Sequence, residues 1–275
     1  MKTAEELEGV KEVQEKGKDE NLYFEIEQNG LATLVKMLVK LDEKSILFSA
    51  SNKALRLFAM DANHVSLGLG YINADSFIHY KLEREHAFSV ENADLKAILT
   101  LSGKNAKVSF SKKKEHIVMS SNDGFSQEFN VELEGKSVIV PGIQYTAGVL
   151  VDLKELAETI SYADEVGSSQ IKLIKDGKHL ALQFKRGDTT LEKIIGVQGV
   201  ENEIPDGTFG IYDPEILNNI LKGMVKMCGS NAQVMVRMKP VENKMAYPLK
   251  VSFRTEIDSK RAIKGYILVA PINPS

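Results

Sequence analysis

The chain has 275 residues, of which 43% are hydrophobic and 27% are charged, a composition that is ordinary for a globular protein with one large or two smaller domains. It contains no apolar stretch near the roughly 20 residues of a membrane helix, and its first residues lack the apolar core of a secretory signal. We therefore expect no membrane partner and a location in the cytosol or nucleus. The formal net charge of −3 means that a nucleic acid could be bound only if basic residues were sorted onto one surface.

A charged leader at residues 1–21 precedes a first set of elements at residues 22–130. The stretch "YFEIE" reads as a strand, and "GLATLVKMLVKLD" predicts a helix that has an aliphatic stripe on one face, with Lys36 and Lys40 one turn apart on another. Alternating patterns in "SILFSA", "ALRLFAM", "HVSLGLGYI" and "SFIHYKLE" predict strands. A second short helix, "NADLKAILTL", carries Lys96 on its polar face and is followed by strands in "AKVSFS", "EHIVMS" and "FSQEFNVEL".

Residues 131–145 have the irregular character of a connector, and the same order of elements recurs in residues 146–275. The stretch "LVDLKELAETISYAD" predicts a third helix, and "QIKLIKDGKHLALQFK" predicts a hairpin with Asp176 and Gly177 as its turn. The fourth helix, "DPEILNNILKGMVKM", opens with Asp213 as the N-cap residue. Two copies of helices and strands in this order predict an α+β protein of two similar domains.

Lysines recur at matching places in the two copies. Lys222 and Lys226 on the fourth helix repeat the one-turn spacing of the first pair. A single one of these lysines is more simply an ordinary solvated residue, and only the parallel placement in the two copies argues against that. The third helix is mostly acidic and offers only Lys154. The basic run of Lys112, Lys113 and Lys114 lies between two predicted strands and reads as a hairpin tip.

The short polar interruption "MDANH" within "LRLFAMDANHVSLGLG" is either a catalytic or metal-binding pair, Asp61 with His64, or a corner between two strands. The other histidines are scattered, so no cluster at metal-ligand spacing accompanies the pair. The "GLG" that follows lacks the third glycine and the helix of a phosphate-binding loop. The single cysteine, Cys228, excludes a cysteine-based zinc site. We therefore expect no catalytic residue, metal or cofactor.

The stretch "LRLFAMDANHVSLGLG" resembles the signature of the proliferating cell nuclear antigen family of DNA sliding clamps, and the ending "YPLKVSFRTEIDSKRAIKGYILVAPI" resembles that family's last strands. The resemblance runs from about residue 23 to 272, and "NNILKGMVK" looks closer to archaeal members. It implies the DNA clamp fold: trimeric rings of two-domain subunits, with helices lining a central hole and antiparallel sheets outside. It also implies a cytoplasmic location in an archaeon, or a nuclear one in a eukaryote.

The resemblance implies two sites. Sequence-independent phosphate contacts to double-stranded DNA would come from five lysines on the inner helices: Lys36, Lys40, Lys96, Lys222 and Lys226. The excess of acidic residues would lie on the outside of the ring. A pocket for glutamine-and-aromatic peptide motifs of DNA polymerase, clamp loader, flap nuclease and ligase would be formed by Met60, His64, Val65, Leu67, Val138, Val140, Pro248, Leu268, Ala270 and Pro271. The aliphatic members could instead be plain core.

Assembly is the remaining expectation. The alternating strands "GFSQEFNVEL" and "TTLEKIIGV" are candidate ring edges, so the resemblance implies a homotrimer or a heterotrimer with sister subunits. The alternative is a clamp-like protein-binding scaffold, or a specialised ring subunit, that does not itself encircle DNA alone.

Overall fold

The computed structural model describes residues 22–41, 44–63, 65–103, 106–113, 116–130, 142–145, 147–202, 204–229, 231–239, 248–256 and 261–272. The leader at 1–21, most of the connector, and three predicted pocket residues, His64, Val138 and Val140, lie outside these ranges.

The described part of the first half of the chain contains nine strands and two helices. They are β1 Leu22–Glu27, α1 Gln28–Leu38, β2 Ser45–Ser51, β3 Ala54–Met60, β4 Ser66–Asn73, β5 His79–Leu82, β6 His86–Glu91, α2 Asn92–Leu101, β7 Lys107–Lys113, β8 His116–Ser121 and β9 Ser126–Asn130. A 3-10 turn, Ala74–Ser76, follows β4.

The second half, as far as it is described, repeats this composition. Its elements are β10 Gly148–Asp152, α3 Leu153–Glu165, β11 Ile171–Asp176, β12 His179–Arg186, β13 Thr189–Gly196, β14 Gly199–Glu201, β15 Phe209–Tyr212, α4 Pro214–Cys228, β16 Gln233–Arg237, β17 Leu249–Glu256 and β18 Ala262–Val269. The predicted α+β fold with antiparallel sheets is confirmed.

Three local predictions need correction. The hairpin between β11 and β12 turns at Gly177 and Lys178, because Asp176 still pairs with His179 and Gly177 supplies the positive φ of 53° that the turn requires. Strand β6 was missed by the sequence analysis, because it ends at Glu91 and α2 begins at Asn92, with no turn residue between them to mark the end of the strand. Helix α1 ends at Leu38, so Lys40 lies in the turn that follows the helix.

The strands form three antiparallel sheets. Strands β5-β1-β7-β8-β9 form the first, β13-β12-β11-β15 form another, and the largest has nine strands in the order β14-β10-β16-β17-β18-β4-β3-β2-β6. The large sheet crosses from one half of the chain to the other where β18 pairs with β4 over seven residues, from Ile263 opposite Ile72 to Val269 opposite Ser66. One backbone ladder therefore joins the two halves.

The four helices pack as one row in the order α2, α1, α4, α3. Helix α1 lies directly on the large sheet at two glycines, because any side chain on Gly68 or Gly70 would overlap leucines of α1. The Asp213 carboxylate accepts hydrogen bonds from the backbone N–H groups of Glu215 and Ile216, which confirms the predicted N-cap of α4. Helices thus cover one face of the large sheet, and its other face is turned away from them.

Candidate functional site

The five lysines predicted on the polar helix faces converge on one groove. A cavity of about 540 Å³ between α1, α2 and α4 is lined by all five of them: Lys36, Lys40, Lys96, Lys222 and Lys226. They come from both halves of the chain, and the contact between α1 and α4 at Gly223 brings them together, since an added methyl group there would touch Met37. The groove is therefore a product of tertiary packing.

These five side chains differ in their partners from Lys107, Lys175 and Lys193. Lys107, Lys175 and Lys193 each pair with a carboxylate, at 3.8, 2.9 and 3.1 Å. Among the described residues, no carboxylate lies within 4.0 Å of any of the five groove lysines, all of which are exposed. A concave surface lined by unneutralised ammonium groups attracts a polyanion.

Helix α3 borders the same region. Lys154 lines a second cavity of about 440 Å³ together with Lys222 and Lys226 of α4. The Lys154 ammonium lies 3.7 Å from the Glu158 carboxylate, with both side chains more than half exposed. Such an exposed pair is weak, so Lys154 can still turn toward an anion in the groove.

The predicted apolar pocket residues form one row on the face of the large sheet that is turned away from the helices. Met60, Leu67 and Leu268 lie directly opposite one another on β3, β4 and β18, and cross-strand partners share a face. Leu67 and Leu268 are each 5% exposed, whereas Met60 is half-buried. The row therefore has a buried floor, and its rim includes half-buried Val65, Pro248, Ala270 and Pro271.

The interruption "MDANH" is a corner between β3 and β4. The Asp61 carboxylate accepts a hydrogen bond from the Ser66 backbone N–H at 2.6 Å, and the Asp61 N–H donates to the Ser66 carbonyl at 3.1 Å. Val65 in turn accepts a hydrogen bond from the Ala270 N–H at 2.8 Å, which holds the end of the chain against this corner. Asp61 is thus occupied by the backbone, and no group of three metal-ligating side chains occurs among the described residues.

Three residues beside the apolar row were missed by the sequence reasoning. The Lys250 ammonium lies 4.0 Å from the ring centroid of Tyr266 and 5.4 Å from that of Tyr145. The Tyr145 hydroxyl donates to the Pro248 carbonyl at 2.5 Å, and burial together with the neighbouring Tyr266 raises the pKa of its phenol. Burial and the nearby Arg237 lower the pKa of Lys250. Tyr266 lies two residues before Leu268 on β18, so strand alternation could have placed it on the same face as Leu268. No local pattern in the sequence could have placed Tyr145 beside them.

The chain is similar to known proteins both in sequence and in fold. Residues 20–136 match the family model described as "Proliferating cell nuclear antigen, N-terminal domain". This part of the chain is therefore similar to the proliferating cell nuclear antigen (PCNA) family. Proliferating cell nuclear antigen 1 of Plasmodium falciparum is 28% identical over 168 residues, which cover 54% of this chain and 61% of that protein.

The PCNA fold extends over nearly the whole chain. The A. fulgidus PCNA structure, solved with the C-terminal region of FEN-1, superposes with a TM-score of 0.76 at 16% identity and covers 92% of this chain and 99% of that one. Entamoeba histolytica PCNA gives a TM-score of 0.74 at 16% identity, covering 92% and 100% of the two chains. A PCNA2–PCNA3 complex from Sulfolobus tokodaii gives 0.69 at 15% identity, covering 90% and 98%.

Each of the two smaller sheets of this PCNA-fold chain has two end strands, β5 and β9 in one and β13 and β15 in the other, and each end strand has one side without a strand partner among the described residues. Of the five exposed large apolar side chains in the described part, Phe125 directly precedes β9 and Ile194 lies on β13. Leu101 and Tyr162 lie on α2 and α3, which contact β9 and β13 respectively. Ile194 is 52% exposed. Apolar side chains beside a free strand edge indicate a surface that another chain covers.

Proposed function

We propose that this protein is a DNA sliding clamp, a processivity factor that encircles double-stranded DNA as a trimeric ring. The observation that carries the proposal is the groove in which five lysines, four on three helices and Lys40 in the turn after α1, converge without a carboxylate partner among the described residues. A clamp must hold DNA while moving along it, so it needs many weak phosphate contacts and no base readout. Lysines on a smooth helical surface meet that need.

Two of the edge strands, β9 and β13, would form the contact between subunits, because exposed apolar side chains lie near them. Pairing of β9 on one subunit with β13 on the next would join a five-stranded sheet to a four-stranded one, which gives nine strands, the size of the sheet that already joins the two halves. Such head-to-tail contacts form a closed ring when each subunit is rotated by the right angle relative to its neighbour. The ring would contain three copies of this chain, or this chain with sister subunits.

Client proteins would bind at the apolar row. A peptide with a glutamine, an aliphatic residue and aromatic residues would cover Met60, Leu67 and Leu268, with His64, Val138 and Val140 completing the pocket. In the A. fulgidus PCNA structure the C-terminal region of FEN-1 is bound, which supports a flap nuclease as one client. DNA polymerase, clamp loader and ligase are the other clients we propose.

The clamp would work without catalysis, wherever its DNA lies: in the cytoplasm of an archaeon or the nucleus of a eukaryote. Light scattering combined with DNA binding tests the whole proposal. We expect a particle of three times the 30.5 kDa chain mass, formed alone or with sister subunits, that binds duplex DNA of any sequence. If the chain stays monomeric both alone and with sister subunits, and does not bind DNA, it would instead be a clamp-like scaffold that binds proteins only.

A further inference from the structure

A row of positive charge crosses the face of the large sheet that carries the apolar row. Arg56 on β3, Tyr71 on β4, Lys264 on β18 and Arg254 on β17 are consecutive cross-strand partners and therefore share one face. Arg56, Lys264 and Arg254 are exposed. This part of the outer face is therefore basic, although the chain as a whole has a formal net charge of −3.

Among the described residues, positive charges outnumber negative ones around the basic row. In the described part of the chain, none of Arg56, Arg254 and Lys264 forms an ion pair within 4.0 Å. Exposed Glu256 shares their face two residues beyond Arg254, on the side away from the apolar row. Lys264 lies directly opposite Arg254, and like charges in that position destabilise a sheet. A bound anion would remove this repulsion.

The basic row has a fixed offset from the apolar row on the same strands. Arg56 precedes Met60 by four residues on β3, and Lys264 precedes Leu268 by four residues on β18. Four residues of strand correspond to about 13 Å. Between the two rows lie Leu69 and Tyr266, both half-buried and also cross-strand partners. One continuous surface thus runs from apolar to aromatic to basic.

An extended peptide has the same repeat as this surface. Its alternate side chains are about 7 Å apart, so a segment lying along the strands places its first, third and fifth residues over the three successive rows. A nucleic acid has phosphates for the basic row but no side chain to fill the apolar row. The combination of apolar and basic rows therefore favours a protein segment that carries both aliphatic and acidic residues.

We propose that Arg56, Lys264 and Arg254 bind acidic side chains of the client segment whose apolar anchor covers Met60, Leu67 and Leu268, about four residues from that anchor. This inference rests on the proposed function, because it takes the apolar row as the client site. It adds a selection rule: of two clients with equal anchors, the one with an acidic flank binds more tightly.

Fluorescence anisotropy with two labelled peptides tests this rule. Both carry the same glutamine-aliphatic-aromatic anchor; in one, Asp and Glu stand four and five residues away on either side, and in the other these positions are Asn and Gln. We expect the wild-type chain to bind the acidic peptide about five- to tenfold more tightly at low salt. The triple variant Arg56→Gln, Arg254→Gln, Lys264→Gln should bind both peptides equally.

The control variant Lys178→Gln, Lys185→Gln, Arg186→Gln removes the same charge from exposed positions on or beside β12 and should keep the preference. If both peptides bind with equal affinity to the wild-type chain, the basic row does not contact the acidic flank and this inference is wrong. The proposed client site would not be affected by that result. If neither peptide binds, the client site itself is wrong. If only a single-stranded oligonucleotide loses affinity in the triple variant, the row is a nucleic-acid site and the inference is overturned.

Discussion

Gly265 on β18 lies so close to Leu69 on β4 that a side-chain carbon at position 265 would overlap the Leu69 carbonyl oxygen and the ring of Phe253. Because β4 and β18 belong to opposite halves of the chain, Gly265→Ala should force the joining strands apart. We expect a loss of about 1 to 3 kcal/mol in the free energy of unfolding, measured by urea denaturation. Gly196→Ala on β13, where an added carbon meets nothing within 4 Å, is the control and should change little.

The lysine groove predicts a loss of DNA affinity without loss of fold. Replacing Lys36, Lys40, Lys222 and Lys226 together with alanine should weaken binding equally for all duplex sequences and flatten the salt dependence, by up to about 0.9 in the log–log slope for each lost phosphate contact. Fluorescence anisotropy over a salt series measures both effects. The exposed set Lys81, Lys178, Lys185 and Arg186 is the control. Unchanged slopes in the groove variant would mean that the helices do not face DNA.

The client row predicts a loss of peptide affinity. Val140→Ala with Leu268→Ala should weaken a glutamine-and-aromatic peptide by about 1 to 3 kcal/mol, because a few buried anchors dominate such interfaces. Calorimetry with a flap-nuclease or polymerase tail peptide measures this change. Leu182→Ala removes a buried leucine from a different sheet, so it should cost stability yet leave peptide affinity intact. Equal affinity for wild type and the double variant would put the client site elsewhere.

The free edges predict which apolar residue holds the ring together. Ile194→Glu should lower the trimer mass measured by light scattering, because a carboxylate would be buried beside the neighbouring chain. Val200 is also 52% exposed but lies on β14, at the edge of the sheet that already joins the halves. Val200→Glu should therefore leave the trimer intact. A trimer that survives Ile194→Glu would exclude β13 as the contact.

Asp206 predicts an acid-sensitive contribution to stability. Its carboxylate accepts a hydrogen bond from the buried Lys175 ammonium at 2.9 Å, and this bond together with the Gly177 N–H lowers the pKa of Asp206 below its ordinary value of 3.8. A lowered folded-state pKa means that the contribution is present above pH 3.8 and is lost as the pH falls toward the folded value. Urea denaturation at pH 7 and pH 3 should show a smaller difference for Asp206→Asn than for wild type, with exposed Asp188→Asn as the control.

Local sequence patterns predicted much of this molecule because the signals that produce helices and strands are themselves local. Asp213 followed by Pro214 marks the start of α4, and the alternation through Leu67 marks β4. Nothing local reveals that β4 pairs with β18, since residues 66–73 and 262–269 are far apart in the chain. The same reason hides the approach of Tyr145 to Pro248 and the meeting of α1 with α4, on which the lysine groove depends.

The ladder between β4 and β18 also determines where a ring of these subunits is mechanically weakest. It holds seven residue pairs and is flanked on both sides by further strands, so tension along the ring would have to shear many hydrogen bonds at once to bend the subunit at its middle. Within the described residues, β9 offers five residues to the proposed junction between subunits. Each subunit would therefore behave as a stiff arc, and a loader that pries the ring apart would open a seam between subunits.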